Sequence, residues 1–107
     1  MRRGELWWAE LPSSSGRRPV VLLSRDEAYA VRSLVTVAPV TTRVRNIPSE
    51  VALGLDDGLP RACVANLDNI VTIPKTALRV RVGPLRLKQL AAVEMALRFA
   101  LDLRDSG

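Results

Sequence analysis

Apolar positions along the chain fall into short runs parted by turn residues, and only the C-terminal stretch changes to a helical period. Gly4-Glu5-Leu6-Trp7-Trp8-Ala9-Glu10-Leu11 predicts a first strand, with β-favouring aromatics between charged ends. Adjacent side chains on a strand face opposite ways, so one of Trp7 and Trp8 enters the core, and alternation does not say which. Pro12-Ser13-Ser14-Ser15-Gly16 reads as a mobile loop that could fold over anything bound beside it. Arg17-Arg18-Pro19-Val20-Val21-Leu22-Leu23-Ser24 follows, an apolar run suited to a strand buried on both faces. Its proline removes a backbone donor and biases Arg18 to an extended conformation at the mouth of the strand. Ser24-Arg25-Asp26-Glu27 matches a capping box for a short helix through about Val31, a structural role for Ser24.

Ser33 to Val40 predicts a third strand, with Pro39 marking an edge or a bulge. It empties into Thr41-Thr42-Arg43-Val44-Arg45-Asn46, rich in hydroxyls and guanidiniums. Residues 49–54 make a weaker strand, Asp56-Asp57-Gly58 a turn, and Ala62 to Leu67 the next strand. A polar knot of Asn66, Asp68 and Asn69 precedes Ile70 to Ile73. Ala77 to Val82 alternates Arg79 and Arg81 with Leu78, Val80 and Val82, a half-buried strand with a basic outer face. Many short strands with close turn signals indicate a mainly β (α+β) fold, a small barrel with a C-terminal helix.

That helix is expected from an N-cap at Gly83, with Pro84 in its first position, to about Leu103. Leu87, Leu90, Val93, Leu97 and Leu101 share one face, and Ala92, Met95 and Phe99 form a second stripe away from it. Glu94 lies within the main stripe, with Arg98 four residues on as an ion-pair partner. Two apolar sides need two surfaces to pack on: the barrel itself and a second copy, hence a homodimer.

Composition narrows the chemistry. A chain of 107 residues has room for one domain, and a net charge of +5 favours polyanionic partners. No apolar run is long enough to cross a bilayer and none reads as a signal sequence. Cys63 is the sole cysteine, which excludes an internal disulfide and fits a reducing cytoplasm. The absence of histidine excludes Ser-His-Asp, Cys-His and histidine-pair ribonuclease chemistry, and one cysteine with scattered carboxylates does not furnish a zinc site.

Four blocks in order resemble the MazF/PemK family of bacterial toxin–antitoxin toxins: residues 1–11, Arg18-Pro-Val-Val-Leu-Leu-Ser24, Val37-Ala-Pro-Val-Thr41, and Val64-Ala-Asn-Leu-Asp-Asn-Ile-Val-Thr-Ile73. Each is weak alone, together they are fairly specific, and the resemblance covers most of the chain to about residue 101. The resemblance implies a homodimeric Src-homology-3-like barrel of the MazF/CcdB plasmid-maintenance-toxin type. It also implies a metal-independent, sequence-selective endoribonuclease that cuts single-stranded RNA and is inhibited by an antitoxin with a disordered acidic tail. The family's arginine falls on Arg18 and its catalytic threonine on Thr41. Where some members carry a glutamate in the loop ahead of the arginine, this sequence has Ser13-Ser14-Ser15-Gly16.

The residues themselves suit that chemistry. Arg18 stays protonated, so its natural role is to pair with a phosphate and stabilise transition-state charge, with Thr41 donating to the same group. RNA supplies its own nucleophile, so no cofactor is needed. Arg17, Ser24, Thr42, Arg43, Asn66, Asp68 and Asn69 are the candidates for contacting the substrate around that pair. For the knot, and for Asp68 above all, the competing reading is a turn whose side chains bond their own backbone. Arg79 and Arg81 read as a solvated basic face. The competing functions are a non-catalytic nucleic-acid-binding barrel and a CcdB-like poison of a protein target.

Overall fold

The structure is a computed structural model, which describes residues 1–12 and 16–104. The serine loop expected to be mobile, 13–15, lies outside the described residues. The strands are β1 (Glu5–Glu10), β2 (Arg17–Leu22), β3 (Leu34–Thr41), β4 (Glu50–Leu53), β5 (Cys63–Asn66), β6 (Val71–Pro74) and β7 (Leu78–Pro84), and the helices α1 (Ala28–Val31) and α2 (Leu87–Leu101). All strand pairings are antiparallel. β3 is the hub. One edge pairs with β2, Val20 opposite Pro39, while the other is shared between β6 along Leu34–Val37 and β5 along Val40–Thr41. Pro39 therefore falls between the two partners of that edge, where a missing N–H leaves neither ladder short.

The sheet runs β4-β5-β3-β2-β1-β7, with β6 also on β3. The expected mainly β architecture with a C-terminal helix is present, but the sheet curls without closing. Among the described residues β4 hydrogen-bonds to no strand but β5, and α2 packs over it where closure would have required another strand.

The apolar run of β2 is buried on both faces. Val20 and Leu22 join Val35, Val37 and Ile73 in one core, and Val21 joins Leu6, Val40, Leu67 and Val93 in the other. Trp7 enters the first of these, its Nε1 donating to Glu5 Oε1 at 3.0 Å, and Trp8 turns the other way.

Several local signals lose to tertiary pairing. Ser24 does not cap α1, whose N-cap is Glu27; instead Ser24 Oγ accepts the Thr36 N–H at 2.8 Å and ties the end of β2 to β3. Gly83 and Pro84 do not open the helix. They extend β7 along β1, opposite Leu6 and Glu5, and α2 starts at Leu87 behind Arg86. The inward face of α2 consequently centres on Leu90, Val93, Ala96 and Leu97, while Leu87 is 85% exposed and Leu101 is exposed as well. Met95 and Phe99 remain on the outside, at 72% and 60% exposure. Glu94 is exposed and pairs with Arg3 Nη1 at 2.6 Å, across to the N-terminus. On β7, register shifts against β1 break the alternation, so Val80 is exposed where Leu78 is buried.

Glu5 is a buried carboxylate with three donors: the Arg2 N–H at 3.1 Å, Trp7 Nε1 at 3.0 Å and Arg81 Nε at 3.0 Å. Burial pushes its pKa up, but the hydrogen bonds from Trp7, Arg2 and Arg81 together outweigh it and hold the group below the ordinary glutamate value. The unfolded chain then binds the proton more readily. The resulting stability is complete above the ordinary glutamate pKa and is lost as pH falls through the folded value. Glu5→Gln is expected to cost about 1–3 kcal/mol at neutral pH and to flatten the acid limb of stability against pH, as measured by urea unfolding across that range.

Candidate active site

Extending the β2–β3 register from Val20 opposite Pro39 brings Arg18 opposite Thr41 at the end of the sheet. The β2–β3 ladder itself ends at Val20 and Pro39, and each backbone is held instead from its far side, Ala9 facing Arg18 and Val64 facing Thr41. Two clefts meet there. The first, about 270 Å³, is lined by Arg18, Thr41, Arg43, Arg45, Asn66 and Asn69, with Leu11 and Pro39. The second, about 220 Å³, is lined by Trp8, Arg17, Arg18, Thr41, Thr42 and Arg61, with Pro19, Leu59, Pro60 and Cys63. Arg18 and Thr41 belong to both, and form the ridge between them. Arginines line both sides, and no carboxylate among the described residues lines either. The field is that of an anion site running along a groove.

Local hydrogen bonds decide which polar atoms face the clefts. Thr41 Oγ1 accepts the Arg43 N–H at 3.1 Å, which leaves its hydroxyl proton to donate outward. Asn66 Oδ1 accepts the Asp68 N–H at 2.9 Å as the cap of a 3-10 turn, Leu67–Asn69, so its amide nitrogen is the group left for the cleft. Of the residues predicted from sequence, Arg17, Arg18, Thr41, Thr42, Arg43, Asn66 and Asn69 are brought together. Ser24 and Asp68 are not. Ser24 sits past the opposite end of β2 from Arg18 with its hydroxyl oxygen engaged, and Asp68 Oδ2 accepts the Ser49 hydroxyl at 2.5 Å, supporting the turn.

Arg45, Arg61 and Trp8 line the clefts beyond that set. Arg45 stood in the basic stretch after β3 and Trp8 was one half of an unresolved pair, so both had a signal in the sequence. Arg61 had none: the chain between β4 and β5 carries it across to the mouth of β2. Cys63 is no nucleophile here. Burial, and then the charge of Asp57, push its thiol pKa up, and its S–H points at Leu53 O at 3.7 Å. Size does not select this site. Larger clefts of about 500 and 550 Å³ flank α2, but neither joins an arginine to a hydroxyl-bearing side chain. Among the described residues, no three His, Cys, Asp or Glu side chains are grouped so as to hold a metal ion, and no helix is long and apolar enough to cross a membrane.

The profile of a family described as PemK-like, MazF-like toxin of type II toxin–antitoxin system matches residues 2–101. A probable endoribonuclease MazF5 of Mycobacterium tuberculosis (strain ATCC 25618 / H37Rv) is 42% identical over 101 residues, covering 94% of this chain and 92% of its own length. Among solved structures, the Mycobacterium tuberculosis toxin MazF-mt6 matches with a TM-score of 0.86 at 35% identity, over 94% of this chain and 99% of that one. An endoribonuclease in complex with its cognate antitoxin, from a mycobacterial species, matches with a TM-score of 0.85 at 28% identity over 98% of both chains.

Proposed function

Since the chain belongs to the family of PemK-like, MazF-like toxins of type II toxin–antitoxin systems, we propose that it is a sequence-selective endoribonuclease that cuts single-stranded RNA without a metal ion. The observation that carries this reading is the sharing of Arg18 and Thr41 by two arginine-lined clefts at the end of the sheet. A strand laid along the groove would place one phosphate at the ridge and a nucleotide in each cleft. The planar Arg18 fork pairs with the non-bridging oxygens, and the Thr41 hydroxyl donates to the same phosphate. Both contacts strengthen as charge builds on phosphorus.

The 2′-oxygen of the RNA forms a bond to phosphorus while the bond from phosphorus to the 5′-oxygen breaks. The 2′-hydroxyl gives up its proton and the leaving oxygen takes one. The products are a 2′,3′-cyclic phosphate and a 5′-hydroxyl. On one side of the ridge Arg43, Asn66 and Asn69 offer edges to read a base; on the other Arg17, Thr42 and the Trp8 ring do so.

Incubating the protein with a long RNA in excess EDTA tests this. Cleavage at recurrent sites, with the ends named above, is expected at the rate seen in magnesium. Retention of the RNA without cutting favours a non-catalytic binder, and neither result favours a poison of a protein target. Strict dependence on magnesium would move the chemistry away from Arg18.

Partners follow from the surface. The arginine-lined grooves suit the acidic tail of an antitoxin, and the cytoplasm, with its RNA and reduced thiols, is the fitting compartment. Met95 and Phe99, together with Ala92, line the groove of about 550 Å³ along α2, and a second copy packed there gives a homodimer. Burial across a two-fold axis contributes about 25 cal/mol per Å² of apolar surface. Replacing Met95 and Phe99 with glutamate is expected to shift the sedimentation of a micromolar solution from dimer to monomer. A wild type already monomeric there, or a charged variant still dimeric, would remove α2 from the interface.

A further inference from the structure

Beside the strand residues Arg18, Pro39, Thr41 and Asn66, the cleft is lined from two irregular segments that carry Arg43, Arg45 and Asn69, and neither is fixed by strand pairing along its whole length. One is the chain leaving β3, residues 42–49. The other is the 3-10 turn that leaves β5. Ser49 and Glu50, where β4 begins, reach one to each.

Glu50 Oε1 accepts two backbone N–H groups, from Arg45 at 2.8 Å and Asn46 at 3.1 Å. Asn46 is there in the left-handed region, at φ 56°, a conformation that asparagine tolerates better than most residues but that still needs support. Ser49 is 1% exposed, donates from its hydroxyl to Asp68 Oδ2 at 2.5 Å, and accepts the Leu67 N–H on its carbonyl at 2.9 Å. The two anchors are adjacent in sequence, and Glu50 lies opposite Asn66 in the β4–β5 ladder. Neither Ser49 nor Glu50 lines either cleft. Glu50 Oε2 is buried without a hydrogen-bond partner among the described residues.

We propose that Ser49 and Glu50 form a positioning pair that sets the spacing between the arginine-bearing segment and the asparagine-bearing turn, and through it the base selectivity of that cleft. The pair touches no substrate. Glu50 orders Arg43 and Arg45 by gripping the backbone between and beyond them, and Ser49 orders Asn66 and Asn69 through Asp68 and Leu67. A groove that reads base edges discriminates only while its donors keep a fixed separation.

This inference rests on the RNA-cleavage reading, and its test keeps the two apart. Wild type, Glu50→Ala, Glu50→Gln and Ser49→Ala are compared on a short RNA carrying the preferred site and on one with a single base of that site replaced. Amide hydrogen exchange at Arg45 and Asn46 is followed with no RNA present. Glu50→Ala is expected to raise KM for the preferred RNA on the order of 10- to 100-fold, with a much smaller change in kcat, and to lose most of its discrimination against the replaced base. Its Arg45 and Asn46 amides should exchange faster. Glu50→Gln keeps an oxygen acceptor and is expected to restore KM, discrimination and slow exchange. Ser49→Ala should loosen selectivity in the same direction without changing exchange at Arg45 and Asn46.

Equal losses in both variants of Glu50, an effect confined to kcat, or unchanged selectivity in folded Glu50→Ala would overturn the proposal. Should Glu50→Ala fail to fold, Glu50→Gln and Ser49→Ala still decide it, since wild-type selectivity in Ser49→Ala refutes the pairing of the two anchors. If wild type cuts no RNA, the functional reading falls by itself. The exchange rates then report whether Glu50 holds the segment.

Discussion

Arg18→Ala is expected to cut RNA about 100–1000-fold more slowly than wild type while unfolding at nearly the same temperature. The two halves of that expectation have different origins. The rate falls because Arg18 sits on the ridge common to both clefts, where the scissile phosphate must lie for flanking nucleotides to occupy them. The fold survives because the Arg18 side chain is exposed, while its backbone position opposite Ala9 does not depend on the guanidinium. Arg18→Lys is expected to stay slow, since a single ammonium cannot reproduce a fork matched to two phosphate oxygens. Thr41 offers a sharper comparison. Thr41→Ala removes both the outward donor and the acceptor of the Arg43 N–H, whereas Thr41→Ser keeps both. The serine variant should therefore retain most activity and the alanine variant little. Near-normal kcat/KM in folded Arg18→Ala would remove this pair from the chemistry altogether.

The second large effect is on stability. Leu67→Ala is expected to destabilise the protein by about 2–5 kcal/mol. For a chain of this size each kcal/mol moves the melting temperature by roughly 4–8 °C. Leu67 is fully buried within the core that contains Val93 and Val51, and α2 packs directly on the turn that carries it. Its neighbours Asn66 and Asn69 line the cleft, so the same substitution should raise KM at temperatures where the variant is still folded. Leu87→Ala is the control. It removes the same atoms from a side chain 85% exposed, and should change stability by no more than about 0.5 kcal/mol. A Leu67→Ala protein that melts alongside wild type would show that the turn is held by its hydrogen bonds and not by the core.

Much of the candidate site was legible because its residues lie in short, contiguous stretches. Arg17-Arg18-Pro19 ahead of an apolar run places a cation at a strand mouth by backbone restriction alone, and Thr41-Thr42-Arg43 follows a strand whose end is marked by falling hydrophobicity. Those segments fold much as their local pattern dictates. Asn66 and Asp68 were legible as a turn, but not which of them faces the cleft, because that depends on Ser49 arriving from β4 to take the carboxylate. Arg61 was invisible for the same kind of reason: its neighbours in sequence carry no sign of the strand that it approaches in space.

The chain's own pattern determined every strand described except β6, the C-terminal helix and the double burial of Val20, Val21 and Leu22, since period, turn residues and the proline restriction act over a few residues. Tertiary structure alone decided the contests between two locally acceptable outcomes. Gly83-Pro84 could begin a helix, but as strand residues they complete the pairing of β1 as far as Glu5, so α2 starts later and Leu87 is left in water. Ser24 could cap a helix, but in the completed sheet its hydroxyl oxygen is taken by the Thr36 N–H. In each case a local preference worth about 1 kcal/mol yields to long-range pairing and burial worth several. Whether such a competitor exists is settled only once the distant strands have met.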